Sequence, residues 1–168
     1  MLWSWMTVEE HLYLFGKMGG LFVDSPSRGY GTLATAVKGI MVDFELDEVK
    51  DTYASLLSSG VRRKLELAIA ILINPHILLL ESITDYLDSW SRSRVYSILQ
   101  RSFKNRTALV TTSDTRDAEV LRSLPFSPLL SLFSHLSNLI FGLVNRSYVL
   151  VLHYSTPAPL SRVETRIA

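Results

Sequence analysis

The spacing of apolar residues near the amino terminus predicts a helix. Leu12, Phe15 and Met18 recur at helical intervals. The segment Thr7-Val8-Glu9-Glu10 before them has the form of a capping box, in which Thr accepts from the third amide and Glu reaches back to the Thr amide. Gly19-Gly20 can end this helix.

Two further helical patterns follow a segment rich in turn-forming residues. Leu21 to Lys38 is punctuated by proline and glycine and is predicted to be a loop. Val42 to Leu57 is predicted to be a helix, with Phe44, Val49, Tyr53 and Leu56 on or near one face. Arg62 to Ile73 is predicted to be another, with apolar residues at Leu65, Ala68, Ile69 and Leu72. Asn74-Pro75 ends it, because the residue before proline is disfavoured in the helical region.

The middle of the chain alternates between strand and helix patterns. Ile77 to Leu80 is a continuous aliphatic run, as expected of a strand that is buried on both faces. Thr107 to Thr112 is a short β-branched strand, and Tyr148 to Leu152 is predicted to be a final strand. The segments Ser89 to Phe103 and Asp114 to Leu124 fit helices. Strand, helix, strand and helix in this order predict an α/β fold with parallel pairing.

Composition narrows the chemistry that the chain can perform. The 168 residues include 17 Lys and Arg against 16 Asp and Glu, a net charge of +1, which gives no electrostatic reason to expect a nucleic acid partner. The chain has no cysteine, so disulfides and thiolate metal sites are excluded. Its four histidines are widely scattered, and each is expected on the surface or in a satisfied hydrogen bond.

The region from Ser123 to Asn145 contains no Asp, Glu, Lys or Arg. It is long enough to cross a bilayer, but Pro125, Pro128 and several serines interrupt it. A membrane helix, a buried or disordered segment and translated intron-like sequence are the alternatives.

Three groups of polar residues are candidates for binding a phosphorylated ligand. Glu81 follows the aliphatic strand, where a carboxylate can hold Mg²⁺ or simply cap the strand in solvent. Ser58-Ser59-Gly60 precedes a helix, where free amides suit an anion, although a plain N-cap has the same sequence. Arg62, Arg63 and Lys64 form either a phosphate-attracting rim or a solvated face.

The order of these motifs resembles the second half of an ABC-transporter nucleotide-binding domain, in particular that of subfamily A, the lipid exporters. Members of that family have LSGGQ or LSGGM, KRKLS, an aliphatic strand, DEPT, GLDP and TTHxMDEAE in this order, after an upstream TVxEHL. The corresponding segments here are TVEEHL from Thr7, LSSGV from Leu57, RRKLE from Arg62, ESIT from Glu81, YLDS from Tyr86 and TTSDTRDAE from Thr111. The match covers about residues 6 to 122.

The resemblance implies a partial P-loop NTPase core of the ABC ATPase type, with a helical signature subdomain and without the phosphate-loop half. Residues 1–124 would form this partial domain, with the helical subdomain at about 7–73 and the partial core at about 74–124. Residues 125–168 would be an apolar tail of unknown structure.

The resemblance also assigns roles to individual residues. Ser58, Ser59 and Gly60 would contact ATP held by a partner domain, and Asp88 would communicate across the dimer. Glu81 would occupy the position of the Mg²⁺-site aspartate. Ser82 and Ser113 occupy the positions of the catalytic glutamate and histidine, and a hydroxyl cannot serve as a general base at neutral pH. No G-x-x-x-x-G-K-[ST] motif occurs in the sequence.

These features favour a chain from an ABC transporter ATPase, with a family role in ATP-driven lipid transport but no hydrolysis on its own. The expected cofactors are ATP and Mg²⁺. The expected partners are a second nucleotide-binding domain and transmembrane domains, at the cytoplasmic face of a membrane, and no nucleic acid. The alternatives are a non-catalytic interaction module and a truncated product without independent activity.

Overall fold

The computed structural model describes residues 2–21, 33–102, 107–112, 114–123 and 148–153. The described part consists of a group of three packed helices, followed by a three-stranded sheet and two more helices. The helices are α1 (Val8–Met18), α2 (Leu33–Phe44), α3 (Ser59–Leu72), α4 (Ser89–Ser102) and α5 (Thr115–Ser123), with short 3-10 turns at Asp47–Val49 and Ala54–Leu56. The strands are β1 (Ile77–Glu81), β2 (Thr107–Thr112) and β3 (Tyr148–His153).

The predicted capping box at the start of α1 is confirmed. Thr7 Oγ1 accepts from the Glu10 amide at 3.3 Å, and Glu10 Oε2 accepts from the Thr7 amide at 2.8 Å. His11 is fully buried and, as expected, hydrogen-bonded. Its Nε2 accepts from the Trp3 amide at 2.9 Å, so Nδ1 carries the proton and donates to the Thr7 carbonyl at 2.7 Å. These bonds fix the segment before α1 against the helix.

The predicted boundaries around α2 are wrong. Leu33 to Lys38 belongs to the helix rather than to a loop, while residues 22–32 lie outside the described part. The helix predicted over Val42 to Leu57 ends at Phe44, because Glu45 has a left-handed backbone with φ 55° and the Leu46 amide turns back to the Met41 carbonyl. The two 3-10 turns follow. The apolar spacing imitates a helical period, but Leu56 is 73% exposed.

The helix predicted over Arg62 to Ile73 is confirmed as α3, which begins earlier, at Ser59. Its four predicted apolar positions are all buried, and they pack with α1 and α2 in the core. The helix ends where Asn74 takes φ 56° before Pro75, a left-handed conformation that Asn tolerates. The core includes the following buried residues of these helices: Val8, Leu12, Leu33, Val37, Met41, Phe44, Leu65, Ala68 and Leu72.

The predicted parallel pairing of the first two strands is confirmed. β1 pairs in parallel with β2, with Ile77 opposite Thr107 and Glu81 opposite Thr111. β2 also pairs with β3 in an antiparallel ladder, so the predicted final strand is present. The carboxyl ends of β1 and β2 therefore lie side by side, which places the residues after Glu81 next to those after Thr111.

The expectation that β1 is buried on both faces is wrong within the described residues. Leu78 and Leu80 are buried, but Ile77 is 67% and Leu79 is 71% exposed. β1 is at the edge of the sheet. The described residues thus cover one face of this strand and leave an apolar face and an unpaired edge open.

Among the described residues, no helix combines the length and the apolar character needed to cross a membrane. The charge-free segment from Ser123 to Asn145 lies, beyond its first residue at the end of α5, outside the described part. Its alternatives, and the predicted division of the chain at residue 124, therefore stay predictions.

Candidate functional site

The Ser58–Gly60 loop forms the start of α3. Ser58 is the N-cap, and its Oγ accepts from the Val61 amide at 3.3 Å, while its carbonyl accepts from the Arg62 amide at 2.9 Å. The first amides of a helix have no partner within it, so those of Ser59 and Gly60 point out of the helix end. Ser58 and Ser59 are exposed. The loop combines two amides, a hydroxyl proton and the positive end of a helix dipole, a set that suits an anion.

Gly60 lies against the loop that follows β1. A Cβ added at Gly60 would meet the Tyr86 carbonyl oxygen at 2.9 Å, closer than real Cβ contacts. Only glycine therefore permits this approach of the two backbones. Tyr86 itself has φ 65°, a left-handed conformation that is unusual for an aromatic residue, and its side chain is 76% exposed.

Glu81 and Ser82 end β1 beside the end of β2. The Glu81 residue is exposed, and it belongs to the open face of the sheet with Ile77 and Leu79. Ser82 has φ 45°; its amide donates to the Thr111 carbonyl at 2.8 Å, and its carbonyl accepts from the Asp85 amide at 3.1 Å. Ser82 thus leaves the ladder and starts a tight turn toward Tyr86.

Arg63 connects the start of α3 with the end of β1. Its Nη2 donates to the carbonyl oxygens of both Glu81 and Ser82, the latter at 2.5 Å. Nη1 donates to Glu66 Oε2 at 3.1 Å, and the side chain is 22% exposed. Lys64 is also engaged, 2.9 Å from Glu45 Oε2. Because Arg63 and Lys64 are held by partners within the chain, they form neither a phosphate-attracting rim nor a solvated face. The sequence did not reveal this role, because the acceptors are backbone carbonyls.

Asp88 is the N-cap of α4. Its Oδ1 accepts from the amides of Trp90 at 2.9 Å and Ser91 at 3.0 Å, and its Oδ2 accepts from Ser91 Oγ at 2.8 Å. The Ser91 hydrogen bonds, the amide first, lower the pKa of the Asp88 carboxyl below its usual range. Both oxygens of Asp88 therefore have a structural partner in the chain itself.

A buried carboxylate on α5 joins the loop after β1 to α4 and to the end of β2. Asp117, only 2% exposed, accepts hydrogen bonds from the hydroxyls of Thr84 and Tyr96, and from Thr112 Oγ1 at 3.4 Å. Arg92 Nη1 lies 3.8 Å from Asp117 Oδ1 and 3.1 Å from Asp114 Oδ2, and Arg92 Nε donates to the Leu87 carbonyl at 3.1 Å. Sequence reasoning missed this cluster, whose one signal is an acid within TTSDTRDAE.

The candidate site residues come together in part. Glu81 and Ser82 adjoin α3 through Arg63, and Gly60 contacts the loop that leads to Asp88. Ser113 lies outside the described residues. No group of three or more His, Asp or Glu side chains that could hold a metal ion occurs in the described ranges. Glu81 could supply one ligand to Mg²⁺, and the described residues do not complete a site for it.

Comparison with known proteins identifies the family. No protein-family model matches the chain. It is 35% identical over 128 residues to ABC transporter A family member 10 of Dictyostelium discoideum, an alignment that covers 71% of this chain and 14% of the relative. It is 36% identical over 118 residues to human ATP-binding cassette sub-family A member 10, covering 70% and 7%. A rat phospholipid-transporting ATPase, ABCA3, is 31% identical over 116 residues, covering 69% and 6%.

Solved structures agree on the fold. Residues that make up 71% of this chain superpose on 51% of a dimeric ATP-binding cassette in a post-hydrolysis state bound to ADP and Pi, with a TM-score of 0.60 and 21% identity. A dimeric bacterial ABC transporter cassette gives a TM-score of 0.59 over the same shares. This chain belongs to subfamily A of the ABC transporters, as a fragment of a nucleotide-binding domain. The fold class is therefore the partial ABC ATPase core that the motifs predicted.

The chain spans only a small part of the curated relatives, between 6% and 14% of the three named above. It also corresponds to about half of the solved ABC cassettes. The activity, substrates and partners of a complete ABC-A transporter are consequently matters of proposal for this chain.

Proposed function

We propose that this chain supplies the signature half of a nucleotide-binding site to an ABC-A transporter. The Ser58–Gly60 loop would close over the γ-phosphate of ATP that a second nucleotide-binding domain holds, in support of ATP-driven lipid transport. The observation that carries the proposal is the exposed start of α3, where the amides of Ser59 and Gly60 and the Ser58 hydroxyl are available to an anion. These donors fit a phosphate group.

We further propose that the chain does not hydrolyse ATP on its own. The sequence has no phosphate-loop motif, which supplies the main phosphate contacts in P-loop enzymes. Ser82 stands where the family has the glutamate that polarises water, and its hydroxyl cannot replace a carboxylate base at neutral pH. We propose Glu81 as at most one ligand of a shared Mg²⁺. For Asp88, its capping of α4 favours a role in holding the loop that faces the second domain.

The open face of β1 supports a partner that completes the sheet. Ile77 and Leu79 are largely exposed beside an edge that no strand of the described residues pairs with, and the solved cassettes contain about as much chain again as this one covers. The half of a nucleotide-binding domain that bears the phosphate loop would cover this face. The chain and that half would together form one domain, and the Ser58–Gly60 loop would still face the ATP of the second nucleotide-binding domain.

Nucleotide-dependent binding tests the proposal. We expect the chain to bind a complete ABC-A nucleotide-binding domain at least 10-fold more tightly with AMP-PNP and Mg²⁺ than without nucleotide, measured by microscale thermophoresis. Ser58→Ala should reduce that gain, whereas Ser55→Ala, at an exposed serine in the preceding turn, should not. Equal affinity with and without nucleotide would refute the proposal, as would ATP turnover by the purified chain above background.

A second candidate function, docking on a transmembrane domain, is favoured by an exposed apolar patch. Trp5 is 70%, Tyr53 51% and Leu56 73% exposed, and Trp3 lies with its ring centroid 6.4 Å from that of Trp5. The Ser55 amide donates to the Ser4 carbonyl, so both segments share one surface. Such a patch is typical of an interaction site. The chain would then be held at the cytoplasmic face of the membrane by its partner.

Co-purification tests the second function. Trp5→Ala combined with Leu56→Ala should abolish capture by the transmembrane half of an ABC-A transporter in detergent, independently of nucleotide. Val42→Ala, at an apolar residue that is 58% exposed on α2, is the control. Capture that survives the double substitution would exclude this patch as the contact.

A further inference from the structure

We propose that Arg63 is a positioning residue that couples the Ser58–Gly60 loop to the end of β1. A phosphate bound at the loop would then order residues 82–87, which follow β1. This inference rests on the proposed function of the loop as a lid over a triphosphate. It adds that Arg63 holds the Ser58–Gly60 loop at a fixed position relative to the end of β1, where Glu81 lies.

The contacts of Arg63 are suited to this role. The residue lies in the second turn of α3, directly behind the loop, and one guanidinium nitrogen holds two successive carbonyls, those of Glu81 and Ser82. Glu66 holds the other terminal nitrogen at 3.1 Å. Because the guanidinium is planar and rigid, these three bonds fix the direction as well as the distance between helix and strand.

The backbone at Ser82 depends on such a tie. A serine with φ 45° is held there by its surroundings, since this conformation is sparsely populated for a residue with a Cβ. The carbonyl that accepts from Arg63 also accepts from the Asp85 amide, which begins the turn to Tyr86. The Tyr86 carbonyl in turn abuts Gly60. Loop, arginine, strand end and turn therefore form a closed ring of contacts.

Arg63→Lys is the informative variant, because it keeps the positive charge but lacks the planar fork. Arg116→Lys is the matched control: its side chain is 82% exposed and pairs with Asp114. Arg63→Gln removes the charge as well and serves as the stronger perturbation. If Arg63→Gln does not fold, Arg63→Lys decides.

The experiment is hydrogen exchange on the full chain, free and saturated with a complete ABC-A nucleotide-binding domain in AMP-PNP and Mg²⁺. Binding should slow exchange at residues 59–62 in every folded variant. At residues 82–87 it should slow exchange at least 5-fold in the wild type and Arg116→Lys, and less than 2-fold in Arg63→Lys. If Arg63 has only a structural role, binding at saturation should slow exchange at residues 82–87 equally in the wild type and in Arg63→Lys.

The two proposals fail in different ways. Slowing at residues 82–87 that is equal in wild type and Arg63→Lys would overturn the coupling and leave the lid intact. Absence of slowing at residues 59–62 in the wild type would overturn the lid. In that case, exchange in the free chain still tests whether Arg63 holds the end of β1. The amides of Ser82, Asp85 and Leu87 should exchange at least 5-fold faster in Arg63→Lys than in Arg116→Lys. Equal rates would refute the tie.

Discussion

Replacing Asp117 by asparagine should destabilise the described fold more than the same kind of substitution at an exposed carboxylate. The residue is 2% exposed, and its carboxylate accepts from the hydroxyls of Thr84 and Tyr96, with the Arg92 guanidinium 3.8 Å away. Asparagine keeps the shape and one carbonyl acceptor. It turns the second oxygen into an NH₂ group that meets a hydroxyl, and it removes the charge that faces Arg92.

The size of the effect follows from these partners. A hydrogen bond to a charged group contributes roughly 1.5–3 kcal/mol, and the substitution removes one such bond and weakens another. Leaving a charged partner without its counterion in a buried pair costs about 3–5 kcal/mol, and Arg92 retains Asp114 as a second partner. We therefore expect a loss of about 2–4 kcal/mol in the free energy of unfolding. That is a large share of the roughly 5–15 kcal/mol of a typical domain.

Urea unfolding followed by circular dichroism measures this loss. With a slope of about 2 kcal/mol/M, the midpoint should fall by roughly 1–2 M while the slope stays the same. Asp51→Asn, at an exposed position in a turn, is the control and should change stability by less than about 0.5 kcal/mol. A loss below about 1 kcal/mol in Asp117→Asn would refute the view that this carboxylate holds the loop after β1, α4 and the end of β2 together.

Three further predictions concern single positions. Gly60→Ala should lower the free energy of unfolding in urea by about 1 kcal/mol, because its Cβ would meet the Tyr86 carbonyl at 2.9 Å. Gly39→Ala, in open space on α2, should raise it by about 0.5–1 kcal/mol. Stability changes of the same sign in both variants would contradict this. Tyr86→Gly should raise stability by about 1 kcal/mol, because glycine adopts φ 65° without strain. Tyr53→Gly, at φ −65°, should lower stability. A loss of stability in Tyr86→Gly would be evidence against backbone strain at this position. Burial, and then the hydrogen bond to an acid, raise the pKa of Tyr96, so the unfolded chain releases this proton first, and stability should fall as pH rises above about 10. Tyr96→Phe should flatten that alkaline fall in a denaturation series, and an unchanged slope would show that another group causes it.

The sequence predicted those elements whose signals are local. The capping box at Thr7 sets the start of α1 through bonds within four residues, and the apolar spacing of α3 matches its buried face. Parallel pairing of β1 with β2 follows from the helix between them, which is long enough for a crossover. In each case the information lies within one element or its direct connection.

The predictions from sequence were wrong where the decisive contact is distant along the chain or where the backbone conformation is unusual. Glu45 ends α2 with φ 55°, a conformation that a glycine would have signalled and a glutamate does not. Its carboxylate is held by Lys64 and Trp90, whose hydrogen bonds lower its pKa. The aliphatic run of β1 predicted two buried faces, because sequence reports what a strand can bury but not how much of the covering chain is present.

The contacts that hold the candidate site together do not involve the side chain at position 82. Four arginines of the described residues connect elements around it by donating to main-chain carbonyls: Arg62 to that of Ala54, Arg63 to those of Glu81 and Ser82, Arg92 to that of Leu87, and Arg94 to those of Val42 and Asp43. Every residue type offers the same carbonyl oxygen. A different side chain at position 82 would therefore leave these main-chain contacts unchanged. In the proposed function, loss of hydrolysis and retention of a correctly placed lid would therefore depend on different atoms.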